Sequence, residues 1–197
     1  MDNKKRFILI LLVLILLMAS ASVLYSKMSI GLDAQQLNAN EATSASATEN
    51  DEADNQTRTA KAPDFLALDS SGNEVRFYDF LGKPIVLNFW ASWCGPCQME
   101  MPDFEEAYKA YGDEVNFLMV NVTDGSRETV EIASAFISEK GYSFPVFYDT
   151  AMEAAYGYGV YSLPTTYFLD SEGYLVAAAK GMVDAEIIQK GINKLLN

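Results

Sequence analysis

The 197-residue chain carries 14 basic and 27 acidic side chains, for a formal net charge of −13, with two cysteines and no histidine. That length suits one domain with appendages. The acidity makes a soluble, self-repelling surface and leaves no basic patch to displace counterions from nucleic acid, so nucleic acid is excluded as a partner. Without histidine there is no Cys–His nucleophile pair and no Cys/His copper site, and a closed zinc site would have to borrow carboxylates or a second chain.

The N-terminus reads as a targeting segment. Residues 1–6, with Lys4-Lys5-Arg6, form a positive region, and Phe7 to Met18 is an unbroken apolar run. Residues 7–25 are long enough to cross a bilayer as a signal-anchor helix. Ala19-Ser20-Ala21 offers the alternative of a cleavable secretory signal. No cysteine follows the run, which excludes a lipoprotein anchor. In either case the positive end stays in the cytoplasm and the remainder is exported. Residues 26–61 are acidic and rich in Ala, Ser and Thr, and cannot bury enough apolar surface to offset ordering entropy, so they read as a disordered linker.

From residue 62 the composition changes to that of a folded domain. Phe65 to Leu68 and Val75 to Tyr78 flank Ser71-Gly72-Asn73 as two short strands. Ile85 to Phe89 is an apolar run of the kind that forms a buried strand. The next segment, Trp93-Cys94-Gly95-Pro96-Cys97, opens a helix from Gln98 to Tyr111. Met99, Phe104, Ala107, Tyr108 and Tyr111 are expected on its inner face, and Pro102 should bend it. Val115 to Val122 is the next strand. Ser126 caps a helix to Lys140 with Ile132, Ala133, Phe136 and Ile137 inward, and Gly141 ends it. Val146 to Tyr148 is a strand and Met152 to Tyr156 a short helix. Thr165 to Leu169 and Tyr174 to Ala178 are strands joined by a turn at residues 170–173, and Asp184 or its neighbours start a last helix through Leu196. Alternating strands and helices followed by a hairpin and a closing helix predict an α/β domain, a mixed sheet with helices on both faces.

The cysteines carry the chemistry. A strand feeding a Cys-x-x-Cys turn that opens a helix places the first sulfur at unpaired N–H groups and a partial positive charge, which favour the reactive thiolate. A structural disulfide usually closes a longer loop, because so small a ring constrains the unfolded chain little. Thiol–disulfide exchange is the chemistry that remains.

The segments Ala62-Pro63-Asp64-Phe65, Leu81-Gly82-Lys83-Pro84, Leu87-Asn88-Phe89-Trp90-Ala91-Ser92-Trp93-Cys94-Gly95-Pro96-Cys97, Glu100-Met101-Pro102 and Leu163-Pro164-Thr165-Thr166 together resemble the TlpA/ResA-like, membrane-tethered thiol–disulfide oxidoreductases of the thioredoxin superfamily. The resemblance covers residues 62–196. It implies a thioredoxin-like fold: a mixed central sheet flanked by helices, with an N-terminal β-hairpin and an inserted helix–strand unit. It implies that Cys94 and Cys97 cycle between dithiol and disulfide, with Cys94 as nucleophile and Cys97 as resolving thiol. Trp93, Gly95 and Pro96 surround the pair, Pro164 is a cis-proline beside it, and the Leu163 backbone pairs with substrate. Where thioredoxin has a buried Asp, this chain has Asn88, which cannot take a proton. Glu100 matches the Glu of the TlpA/ResA-like branch, and lies on the Cys97 face of the helix as a candidate acceptor of the Cys97 proton.

No cofactor and no metal are implied. The implied partners are exported proteins bearing thiols or disulfides, apocytochrome c among the family's clients, and a membrane protein that donates electrons. Gly95-Pro96 is the pair found in thioredoxin, whose potential of about −270 mV favours a reductant. Three alternatives stand beside it. One is an exported disulfide-forming oxidant. Another is a peroxiredoxin-like peroxidase, which needs Thr where this chain has Ala91. The last is a non-catalytic thioredoxin-like binding module.

Overall fold

The computed structural model describes residues 60–197; segments 1–6 and 7–25, and the linker up to residue 59, lie outside the described residues. Among the described residues, no helix is long and apolar enough to cross a membrane. At the start of the described residues Lys61 bridges Tyr174, and the Leu175 N–H donates to the Ala60 carbonyl at 3.2 Å.

Strands β1 (Leu66–Leu68) and β2 (Glu74–Arg76) form the antiparallel N-terminal hairpin. There follow β3 (Ile85–Trp90), α1 (Gly95–Tyr111), β4 (Asn116–Asn121), α2 (Val130–Lys140), β5 (Val146–Tyr148) and α3 (Glu153–Gly157). The chain closes with β6 (Thr165–Leu169), β7 (Leu175–Lys180) and α4 (Ala185–Leu196). The strands make one sheet in the order β2-β1-β5-β4-β3-β6-β7. Strand β4 pairs in parallel with β3 and with β5, whereas β6 is antiparallel to both β3 and β7, and β1 is antiparallel to β5. This is a mixed, thioredoxin-like α/β sheet. Strand β5 and helix α3 stand between α2 and β6, and β5 joins the hairpin to the sheet.

Every residue of β3 is buried, which is why its sequence is a nearly unbroken apolar run. Successive side chains alternate across the sheet. Val86 and Trp90 pack with Met101 and Phe104 of α1, Ala133 of α2 and Ile188 and Ile192 of α4. Ile85, Leu87 and Phe89 pack with Phe65, Phe77 and Ala154. The faces are therefore covered unequally: three longer helices on one, and the N-terminal segment with the five-residue α3 on the other.

Four local expectations are corrected. Phe77 and Tyr78 lie in a 3₁₀ turn, Phe77–Phe80, instead of a strand. The Asp64 carboxylate accepts the Tyr78 N–H at 3.1 Å, and the Phe77 ring stacks on Phe65 at 5.2 Å, which together turn the chain off the sheet. Helix α2 is capped by Thr129, whose hydroxyl accepts the Ile132 N–H at 3.3 Å, not by Ser126. Ile132 is exposed, leaving Ala133, Phe136 and Ile137 to face inward. On α1, Met99 is exposed and Met101 is buried, because residues 97, 101 and 104 share a helical face that 99 does not. Pro102 sits inside α1, which continues through it to Tyr111.

Candidate active site

Strand β3 delivers the chain to the cysteines at its C-terminal end. The Cys94 N–H donates to the Ala91 carbonyl at 3.1 Å, which folds residues 91–94 into a turn, and Cys94 becomes the N-cap of α1. Its Sγ accepts the Cys97 N–H at 3.2 Å. Cys94 and Cys97 form a disulfide, with Cα atoms 5.2 Å apart. Pro96 stands in the first helical turn, where a missing N–H costs nothing. Cys97 is fully buried, while Trp93, Gly95 and Pro96 around Cys94 are exposed. On reduction, a thiolate at position 94 meets the unpaired N–H groups of the helix mouth, which is the environment that lowers a thiol pKa.

The pairing of β3 with β6 brings a second segment to this end of the sheet. Thr165 is registered against Phe89, so the residue before it falls beside the end of β3. The Leu163–Pro164 peptide bond is cis. The Pro164 carbonyl accepts the Gly181 N–H at 2.9 Å, and Leu163 packs against the core cluster that contains both cysteines. Trp93, Cys94, Gly95, Pro96, Cys97, Leu163 and Pro164 are thus gathered at one end of the sheet.

Glu100 lies one turn beyond Cys97 and is only 1 % exposed, much deeper than a helix-surface charge. Its Oε1 accepts from Asn88 Nδ2 at 2.8 Å and its Oε2 from the Val183 N–H at 3.0 Å. Asn88 Nδ2 also donates to Thr166 Oγ1 at 3.0 Å, as the β3–β6 register requires. Burial pushes the Glu100 carboxyl up to about 7, against the opposing effect of the Val183 and Asn88 donors.

Glu128 has a place at this site that its sequence context does not announce. It lies on the connection between β4 and α2, is completely buried and grips Ser92, two residues before Cys94. Its neighbour Arg127 lies 3.8 Å over the Trp93 ring. The only sequence signal for this is Asp124-Gly125, a turn-forming pair ahead of the helix. Among the described residues no group of three or more His, Cys, Asp or Glu could hold a metal ion.

A helix-mouth disulfide of two cysteines three apart, beside a cis-proline on this sheet, defines a thioredoxin-fold thiol–disulfide oxidoreductase. The AhpC/TSA family model matches residues 59–178, and the chain belongs to that family, among its ResA- and StoA-like members. It is 36% identical over 135 residues to the thiol-disulfide oxidoreductase ResA of Geobacillus thermodenitrificans, covering 68% of this chain and 75% of the relative. It is also similar to the crystal structure of StoA from Bacillus subtilis, with a TM-score of 0.59 and 26% identity over 66% of this chain and 97% of that one. A third likeness is to the pneumococcal exposed lipoprotein thioredoxin of Streptococcus pneumoniae, with a TM-score of 0.56 and 35% identity over 66% of this chain and 99% of that one.

Proposed function

We propose that this oxidoreductase is tethered to the membrane by residues 7–25, works outside the cytoplasm and reduces disulfides in exported proteins, apocytochrome c pairs among them. The observation that carries the reductive direction is Gly95-Pro96 between the cysteines at the helix mouth. The apolar span with its basic flank supports the export, as does the likeness to an exposed lipoprotein thioredoxin.

In this reading the Cys94 thiolate attacks one sulfur of a client disulfide. A Cys94–client bond forms, the client S–S bond breaks, and the second client sulfur leaves as a thiolate that takes a proton. The Cys97 thiol gives its proton to Glu100, directly or through water. Its thiolate then attacks the Cys94 sulfur, closing the Cys94–Cys97 disulfide and expelling the remaining client sulfur as a thiolate. Two electrons pass from the dithiol to the client, and a membrane donor restores the dithiol. Trp93, Gly95, Pro96, Leu163 and Pro164 form the face on which the client lies, with the Leu163 backbone pairing to it.

The test is the reduction potential of the Cys94–Cys97 pair in full-length protein, equilibrated against glutathione and dithiothreitol. A value at or below about −250 mV supports the reductant, and a value of about −120 to −150 mV identifies a disulfide-forming oxidant instead. Labelling of the reduced cysteines in intact cells by a membrane-impermeant maleimide tests the location, and protection until lysis overturns it.

A further inference from the structure

The turn that carries Cys94 is held from outside its own helix. Ser92 donates its N–H to Glu128 Oε1 at 2.8 Å and its hydroxyl to Glu128 Oε2 at 2.6 Å. Its carbonyl accepts from the Gln98 side chain of α1. Every backbone and side-chain polar group of Ser92 is therefore engaged, one side by α1 and the other by Glu128.

Glu128 is itself tightly placed. Asn121 Nδ2, at the end of β4, donates to Oε1 at 2.6 Å. The Thr123 hydroxyl donates to Asn121 Oδ1 at 2.8 Å, which orients that amide with its N–H groups toward Glu128. The Asp124 carboxylate accepts the N–H groups of Ser126, Arg127 and Glu128 at 2.8, 2.8 and 3.0 Å. Gly125, at φ 72°, closes the turn. The result is a rigid loop that aims Glu128 inward at Ser92 and Arg127 outward over Trp93, which is 41% exposed. All three partners of the Glu128 carboxylate are donors, and charge-assisted bonds of this kind are the stronger ones. A fully buried carboxylate 36 residues from its main partner in sequence is costly to keep, and its hydrogen bonds go to this turn and to the sheet end that supports it.

We propose that Glu128 is a positioning residue for thiol–disulfide exchange: through Ser92 it fixes the turn that presents Cys94 to Cys97 and to the helix mouth. Ring closure between two thiols depends on how often they meet in bonding geometry, that is, on their effective concentration. A turn clamped from both sides keeps that concentration high and so favours the disulfide. Loss of Glu128 therefore makes the pair easier to reduce. The proposal rests on exchange at Cys94–Cys97 and is independent of the direction of electron flow to clients.

The experiment compares full-length wild type, Glu128→Gln and Ser92→Ala in glutathione redox buffers. Gln removes the charge and turns an N–H2 group toward donors, so at least one bond to Ser92 or Asn121 is lost. The expected result is a shift of about tenfold toward the dithiol for Glu128→Gln, about 30 mV less negative. Ser92→Ala shifts the same way by less, and adds nothing in the Glu128→Gln background because the two act as one unit. A Glu128→Gln protein that melts earlier but keeps the wild-type equilibrium overturns the proposal and leaves Glu128 as a packing element. If that variant does not fold, Ser92→Ala decides alone, and an unchanged equilibrium is again fatal. The wild-type potential tests the direction of the reaction, whereas the difference between variants tests the clamp, so the two readings fail separately.

Discussion

The Asn88 side-chain amide donates to Glu100 Oε1 at 2.8 Å, joining β3 to α1 through two buried polar groups. The pairing explains why this carboxyl tolerates burial at all. Burial raises the titration of Glu100 to about 7 against the lowering effect of this bond, and near 7 a small change in solvent or partner changes its charge.

A base acts in its deprotonated form, so the rate at which Cys97 resolves a mixed disulfide on Cys94 should rise through pH 7 as Glu100 ionises. In Glu100→Gln that inflection should vanish, and at pH 8 the step should slow about a hundredfold. Stopped-flow Trp fluorescence across about pH 5.5–8.5 reads it, a range that brackets the titration of the base. The same inflection in both proteins would assign the titration to another group.

The raised Glu100 value also makes stability depend on pH. The folded-state value of about 7 lies above the ordinary carboxyl value of 4.5, so the folded protein holds this proton where the unfolded chain has lost it. The contribution is fully present below about pH 4.5 and is lost as pH rises through 7. A difference of one pH unit between the two states is worth about 1.4 kcal/mol, so the contribution is on the order of 3 kcal/mol. Relative to wild type, Glu100→Gln should therefore gain stability steadily from about pH 4.5 to about pH 8, measured as the difference in urea unfolding free energy of the oxidised proteins. A difference that does not vary with pH would refute the buried, proton-retaining Glu100.

Asn88 permits a sharper test of the same pair. Asn88→Asp sets a second carboxylate against Glu100 at a separation of 2.8 Å and removes the donor that both Glu100 and Thr166 use. Two carboxylates at that distance share one proton. The variant should lose about 3 kcal/mol at pH 8, where the shared proton is leaving, and clearly less at pH 5. Equal losses at both pH values would mean that the two side chains do not meet.

Much of this site is legible in the sequence because it is local. The buried run Ile85–Trp90, the cysteine spacing, the helix cap at Asp184 and the stop at Gly141, whose φ is 71°, each depend on a few adjacent residues. Glu100 is legible as a residue on the Cys97 face, but its depth is not, since that is set by Asn88 on β3 and Val183 before α4. Glu128 escapes altogether. Its partner lies 36 residues away and meets it only because β3 and β4 are parallel neighbours whose C-terminal ends coincide. Ser126 suits a cap by residue type, yet the N–H groups of Ser126, Arg127 and Glu128 all turn onto Asp124, so the helix starts later and the cap falls to Thr129. Met99 fails for the plainest reason: it is two residues from Met101, and two residues along a helix is the opposite side.

Helix α4 reaches the site through its packing on β6. A Cβ at Gly191 would lie 2.1 Å from Phe168 Cε1, so glycine lets the helix backbone rest directly on that ring. Ala favours a helix by about 1 kcal/mol over Gly. Here the clash dominates, because Phe168 is buried and Ile188 and Ile192 already anchor the same helix in the core. Gly191→Ala should cost about 2 kcal/mol net. The helix must lift from β6, and Val183, just before its Asp184 cap, should move with it. The Val183 N–H is one of the two donors that hold the Glu100 value down. Weakening that bond should move the pH inflection of mixed-disulfide resolution above 7. Phe168→Leu in the same chain should relieve the clash and restore both readouts in part. Urea midpoints and the pH profile of the single and double variants decide the matter: a stable Gly191→Ala protein with an unmoved inflection would show that α4 neither packs so closely nor tunes Glu100.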